Sequence, residues 1–378
     1  MFNPSFNPSP EKLIDIKTNQ ESLSEVSDKF IKEMSLQGFE TRNNKDLKIE
    51  NDGTLLFANS TMSRYKLEIN GRSLPDSGYA IVQKCLRTRS LSNFLDRGLD
   101  FQFNSYFTMI GVLFGGKDPK NIVSLTLSFL VSQGLDINRV FIKTNQSVKN
   151  VNLCLMSVEE AKLIYGSESA AYYSWVYGID GITGEGITFT YKSKEGKCRD
   201  LGNIICFIDD ATYEIIGWES GFGLETLMAI KGDKQLFETH PIWDVVKFSE
   251  SPDLKKVMDS VVSSIEIIRS GYIPGSKKQG YILRKFLMVI YQINKDLDLN
   301  IKDIALKYCN LLKYDNPEAI SGQIESYLTD ISISKSKNLA SFKKFLKSNQ
   351  GTNLSREEKI VVAKSSFSME ESEILDII

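Results

Sequence analysis

Between Gly186 and Lys192 apolar and polar residues alternate, so that Ile187, Phe189 and Tyr191 share one side, and this period predicts a half-buried strand. Ile204 to Ile208 is instead a continuous apolar run bounded by Asn203 and Asp209, the pattern of a fully buried strand. Farther along the period lengthens: Ile301, Ile304, Ala305, Tyr308, Leu311 and Leu312 recur at the three-and-four spacing of one buried helix face. The change of texture falls near Ser251 and Pro252, which places a domain boundary there. Residues 1–22, with Pro4, Pro8 and Pro10, have no periodicity and read as a flexible tail. Residues 23–250 mix helices with short strands, and residues 251–378 are helical throughout. The predicted class is α+β, an antiparallel sheet flanked by helices and followed by an all-helical domain. No internal repeat or sustained heptad run occurs, which argues against a solenoid or a long coiled coil.

At 378 residues and 42% hydrophobic side chains the chain can bury a sizeable core. No segment approaches the roughly 20 apolar residues of a membrane span, and residues 1–10 lack a secretory pattern, so the expectation is a soluble, cytoplasmic protein with no membrane partner. Cys85, Cys154, Cys198, Cys206 and Cys309 form no CxxC pair, and His240 is the sole histidine. A disulfide framework and a structural metal site are therefore not expected. The formal net charge of −2 hides local imbalance. Lys255, Lys256, Arg269, Lys277, Lys278, Arg284 and Lys285 face only Asp259 and Glu266 between residues 254 and 290, and Lys335, Lys337, Lys343, Lys344 and Lys347 form a second cluster. The plain reading is solvated helix faces; the alternative is a surface for nucleic-acid phosphates.

Two segments could carry chemistry. Residues 213–228, YEIIGWESGFGLETLM, run from a β-rich stretch through a Gly-x-Gly turn into a helix-compatible stretch. Gly221 and Gly223 lack a Cβ and let the backbone approach a ligand or a neighbouring strand. The pattern fits plain turn geometry as well as a nucleotide cradle. Residues 79–116 contain QKCLRT around Arg87 and SYFTMIGVLFGG around Phe107. An arginine leaving a strand beside an aromatic ring can grip a phosphate while the ring stacks on a purine, although a salt bridge and a core phenylalanine fit equally. His240, before Pro241, reads as packed or surface histidine rather than as a general base.

Taken together, DGTLLFAN over 52–59 with Met62 and Lys66 beyond it, QKCLRT over 83–88, YFTMIG over 106–111, WVYG over 175–178, GFGLE over 221–225 and GYILRK over 280–285 follow one another in a telling order. From Asp52 to Lys285 this order resembles the alanyl-tRNA synthetases, whose corresponding stretches include Phe-Phe-Glu-Met-Leu-Gly, Trp-x-Met-Gly and Gly-Tyr-Val-Leu-Arg-Arg. The resemblance implies the class II synthetase sheet joined to a helical tRNA-binding domain, without the editing and carboxy-terminal parts.

By that resemblance Arg87 holds the α-phosphate of ATP as its catalytic contact, Phe107 stacks on the adenine, and Gly223 belongs to the ATP site. Met62 and Trp175 line the amino-acid pocket, Glu219 takes the place of an aspartate that binds the α-ammonium group, and Gly221 leaves room for the substrate. Lys277, Lys278, Arg284 and Lys285 fall where the family approaches the tRNA acceptor end. The resemblance thus implies ATP with Mg2+, a small amino acid (alanine, glycine or serine), and tRNA rather than DNA. It departs from the family at several places. Thr226 replaces an arginine that clamps the γ-phosphate, Thr108 a glutamate, Val112 an asparagine, and Phe103 with Asn104 a histidine pair. Residues 182–188 replace a Pro-Cys-Gly-Pro-Cys-Ser-Glu run, and residues 363–368 lack the acid of a family segment near the acceptor stem. One lost transition-state contact costs about 3 kcal/mol, which Arg89 or Lys117 could offset. Three readings follow: a ligase that makes an aminoacyl-adenylate and charges tRNA, an adenylating paralogue with another acceptor, and a non-catalytic tRNA-binding paralogue.

Overall fold

A computed structural model of the chain describes residues 18–49, 53–88, 91, 94–95, 103–118, 122–144, 174–247, 249–367, 369, 374–375 and 377–378. Asp52, Arg89 and Cys154, and most of the expected tail, lie outside the described residues. The elements are α1 (Thr18–Leu36), β1 (Glu40–Asn44), α2 (Lys66–Asn70), β2 (Tyr79–Leu86), β3 (Tyr106–Gly115), α3 (Ile122–Ser132), β4 (Val140–Thr144), β5 (Ser174–Val176), β6 (Ile182–Lys192), β7 (Cys198–Asp209), β8 (Ile215–Gly223) and α4 (Leu224–Gly232). The longer helices that follow are α5 (Pro252–Arg269), α6 (Lys278–Leu297), α7 (Ile301–Leu311), α8 (Pro317–Leu346) and α9 (Arg356–Phe367).

Among the described residues the strands form one 8-stranded sheet in the order β1-β2-β3-β8-β7-β6-β4, with β5 also on β6. The α+β class is as the sequence predicts. The sheet is mixed rather than wholly antiparallel, because β1 joins β2 in parallel, Glu40 opposite Tyr79. All other pairings are antiparallel. The alternating run 186–192 lies in β6 and the apolar run 204–208 in β7. The Gly-x-Gly of residues 221–223 is not a turn: both glycines are strand residues, and α4 leaves β8 directly with Gly223 as its N-cap.

One face of the sheet is conventional core. Val82, Ile110, Val112, Phe114, Ile187, Phe189, Ile204, Trp218 and Phe222 pack against Val26, Phe30 and Met34 of α1 and Ile122, Phe129 and Leu130 of α3. Residues 26, 30 and 34 recur at i+4, so they form a single stripe on α1. A second cluster joins Leu86, Tyr106, Phe237 and Trp243 to Val257, Ile265, Leu283, Phe286, Ile304 and Tyr308, and so crosses residue 250. The helix spacing at residues 301–312 is realised in α7, where Ile301, Ile304, Ala305 and Tyr308 are buried.

Helix α5 starts at Pro252. Proline occupies its first turn, and the Ser251 side chain accepts from the Leu254 N–H at 3.4 Å. Its lysines correct the reading of solvated faces: Lys255 and Lys256 are only 2% and 1% exposed. Lys255 lies 3.4 Å from Glu250 and 5.3 Å from the Phe237 ring centroid. No helix among the described residues is long and apolar enough to cross a membrane.

Candidate active site

Residues directly opposite on neighbouring strands present their side chains to the same face. Trp175 of β5 lies opposite Gly184, Gly184 opposite Phe207 of β7, and Phe207 opposite Gly217 of β8. Alternation along β8 then puts Glu219, Gly221 and Gly223 on that face. Gly221 pairs with Gly111 and Gly223 with Met109 of β3. Phe107, two residues before Met109, pairs with Cys85 of β2, and Arg87 follows two residues after Cys85. The register therefore gathers Trp175, Glu219, Gly221, Gly223, Phe107 and Arg87 on the face opposite the Trp218 and Phe222 core. The 3-10 turn Thr61–Arg64 covers part of it, with Met62 buried among Tyr65, Leu113, Ile182 and Phe207.

Glycines keep this floor low. A Cβ on Gly221 would stand 2.9 Å from Met109 Cε, 3.4 Å from Thr61 Oγ1 and 3.9 Å from Glu219 Oε1. Position 221 therefore opens directly onto the carboxylate. Gly184 and Gly186 continue the floor on β6.

Glu219 is buried, 4% exposed. Its carboxylate accepts hydrogen bonds from the Thr61 hydroxyl and the Met62 N–H. Burial raises its pKa above the usual carboxylate value, against the opposing pull of those two donors and of the Arg87 guanidinium. A buried carboxylate in this state gains from a cation brought to it. Arg87 is exposed; its Nε donates to the Asn59 carbonyl at 3.1 Å, and its Cζ lies 5.0 Å from the Phe107 ring centroid. Cation and ring thus form one element at the edge of the face, with charge for a phosphate beside an aromatic surface for a base.

On the other side of β2 and β3 lies a buried polar layer. Lys84 Nζ donates to Thr108 Oγ1 at 2.8 Å, and the Thr108 N–H is 2.9 Å from each oxygen of Glu225. Thr108 therefore fastens the first turn of α4 to β3 without a charge of its own. His240 packs between Tyr106 and Tyr308, at ring-centroid distances of 6.3 and 6.0 Å. Burial, and then Lys84, push its pKa down to about 3. A neutral imidazole fits its Nδ1 accepting from the Ile242 N–H at 3.3 Å. His240 is thus packed, beside Tyr106 rather than Phe107 of β3.

Lys277 is the N-cap of α6, Lys278 its first residue, and Arg284 and Lys285 follow about two turns into the helix. Lys285 Nζ and Arg284 Cζ lie 4.9 and 5.8 Å from the Tyr281 ring centroid. Gln279 Nε2 donates to the Leu56 carbonyl at 2.9 Å, linking this helix end to the segment that leads to Asn59 and Thr61. Thr226 Oγ1 sits 3.2 Å from the point a Cβ on Gly223 would occupy, so that end of the face is uncharged. Among the described residues no group of three or more His, Cys, Asp or Glu side chains forms a metal cage.

Sequence reasoning passes over Thr61, which fixes Glu219, and Tyr177, which lies over Gly184, the residue opposite Trp175. The Trp-x-Tyr-Gly spacing carries the signal for Tyr177; nothing local marks Thr61, whose partner is 158 positions away.

The fold and face define a class of site: a glycine-floored, acid-bearing sheet surface edged by a guanidinium and an aromatic ring. No family model matches the chain. It is 24% identical over 311 residues to the alanine–tRNA ligase of Francisella philomiragia, a match covering 70% of this chain and 35% of that protein. It is 23% identical over 309 residues to the alanine–tRNA ligase of Francisella tularensis subsp. novicida, with the same coverage of 70% and 35%. The chain thus spans about a third of the length of these relatives. Among solved structures, S. aureus histidyl-tRNA synthetase overlaps with a TM-score of 0.37 at 11% identity, covering 61% of this chain and 75% of that one. Desulfitobacterium hafniense PylSc, a pyrrolysyl-tRNA synthetase, overlaps with a TM-score of 0.35 at 17% identity, covering 58% and 73%. At scores this low, neither overlap bears on function.

Proposed function

We propose that the chain is an aminoacyl-tRNA synthetase-like ligase that activates a small amino acid with ATP and transfers it to tRNA. The amino-acid carboxylate attacks the α-phosphorus, a P–O bond forms, and the bond to pyrophosphate breaks, leaving an aminoacyl-adenylate. Arg87 meets the charge that builds on the α-phosphate. Phe107 stacks on the adenine, and Gly223 gives the nucleotide room. Glu219 receives the α-ammonium group, Gly221 leaves space beside it, and Trp175 and Met62 wall the pocket. Positioning and charge neutralisation supply most of the rate. Magnesium accompanying the nucleotide would supply further charge neutralisation at its phosphates. Lys277, Lys278, Arg284 and Lys285 engage phosphates of the tRNA acceptor end.

The observation that carries this reading is the single face shared by Arg87, Phe107, Trp175, Glu219, Gly221 and Gly223. The similarity to alanine–tRNA ligases over 70% of the chain supports it. A second reading, a non-catalytic tRNA-binding paralogue, draws on Thr226 and Thr108, which leave two expected charges absent.

Amino-acid-dependent exchange of pyrophosphate into ATP decides between them. The proposal expects exchange with a small amino acid, reduced at least a hundredfold in Arg87→Ala and in Glu219→Ala. Absence of exchange with every small amino acid at high protein concentration refutes it, and tRNA affinity that persists under those conditions selects the binding paralogue. Exchange without charging of any tRNA moves the acceptor to another molecule.

A further inference from the structure

Tyr177 directly follows β5, and its ring and hydroxyl cover Gly184, the residue opposite Trp175. Its ring packs edge-on against Phe207, with centroids 5.1 Å apart and planes at 68°. Its hydroxyl rests over Gly184, 2.7 Å from the point where a Cβ would stand, so any larger residue at 184 would displace it. The hydroxyl oxygen is buried and has no hydrogen-bond partner among the described residues. Buried phenols almost always find one. Burial first, and then the nearby Glu219 carboxylate, hold its pKa well above the ordinary phenol value. The group is therefore a neutral O–H that can both donate and accept.

The two polar groups differ in what they lack. Glu219 is already steadied by Thr61 and Met62 and wants only a cation. Tyr177 wants a hydrogen-bonding neighbour of no charge. A methyl group or a hydrogen atom brought beside the phenol leaves it as unsatisfied as before, whereas a small hydroxyl completes it.

We propose that Tyr177 is a specificity-determining residue whose hydroxyl hydrogen-bonds the side-chain hydroxyl of the activated amino acid, which makes serine, rather than alanine or glycine, the substrate. This inference rests on the amino-acid-activating function proposed above and narrows it. The stretch in the alanyl-tRNA synthetases that WVYG resembles has methionine at this place, which offers no such donor.

The test is pyrophosphate exchange with L-serine, L-alanine, glycine and L-threonine, using the full chain and Tyr177→Phe. For the unaltered protein, kcat/KM with serine is expected to exceed that with alanine by at least tenfold. In Tyr177→Phe it is expected to fall roughly tenfold to a hundredfold for serine and to stay within about twofold for alanine. Preference of the unaltered protein for alanine, glycine or threonine overturns the inference while leaving the activating function intact, and this arm needs no variant to fold. An equal loss for serine and alanine in a normally melting Tyr177→Phe also overturns it, since the phenol then holds the common amino-acid frame. Absence of exchange with all four removes the activating function and the inference together.

Discussion

The two faces of the central sheet are built from alternate residues of the same strands, yet they obey opposite rules. Along β8, Trp218 and Phe222 are fully or almost fully buried among apolar side chains of α1 and α3, while Glu219, Gly221 and Gly223 point the other way. The first set fills space and the second leaves it open. Because strand side chains alternate strictly, one strand can be both foundation and floor, and a slip of one residue would exchange the two. Along β8, stability should therefore reside in one parity and activity in the other.

The largest effect is expected on the filled face. Phe222→Ala removes a side chain 2% exposed, packed at 6.2 Å from the Phe189 ring. The transfer and cavity costs together should lower stability by about 3–5 kcal/mol, read from denaturant melts. The folded fraction should retain its KM for the amino acid. A fall in amino-acid affinity without loss of stability would dissolve the division between the faces.

The paired glycines Gly111 and Gly221 sharpen the contrast, since they face each other across β3 and β8. A Cβ on Gly111 would stand 1.9 Å from the Ser220 carbonyl oxygen, which is backbone and cannot swing aside. Gly111→Ala should cost about 3 kcal/mol by forcing the strands apart. A Cβ on Gly221 meets the flexible end of Met109 at 2.9 Å. Gly221→Ala should change stability by about 1 kcal/mol or less and instead raise the KM for the amino acid. Equal destabilisation by both would mean that Gly221 serves strand packing rather than substrate space.

The hydrophobic pattern makes the filled face legible in the amino-acid sequence itself. Strand β7 at residues 204–208 and helix α7 at residues 301–311 declare themselves by local period alone. Arg87, Phe107, Trp175 and Glu219 stand out through the order of short motifs, but no motif states that β5, β6, β7, β8 and β3 carry them to one side. That follows from register, which is long-range. The same limit hides the parallel pairing of β1 with β2, the burial of Lys255 beneath Phe237 and Glu250, and the hold of Thr61 on Glu219. The Gly-x-Gly reads as a turn from composition, yet here glycine serves to lower a strand surface rather than to bend it.

The smallest effect separates the faces most finely, because it gives one residue opposite signs for stability and activity. The folded pKa of Glu219 is raised, chiefly by burial, so the native state holds a proton more tightly than the unfolded chain does. Where the unfolded state binds fewer protons, stability falls as pH rises. The Glu219 contribution is then fully favourable below the ordinary carboxylate pKa and is lost as pH climbs through the folded value. Glu219→Gln removes this term while its carbonyl oxygen can still accept from Thr61 and Met62. At neutral pH it should melt slightly higher than the unaltered protein, by no more than about 1 kcal/mol, and the two should converge on acidification. Exchange activity should move the other way, because an uncharged amide cannot neutralise the α-ammonium group. A Glu219→Gln protein that loses stability at neutral pH would place this carboxylate among the structural groups and leave the open face without its cation-binding anchor.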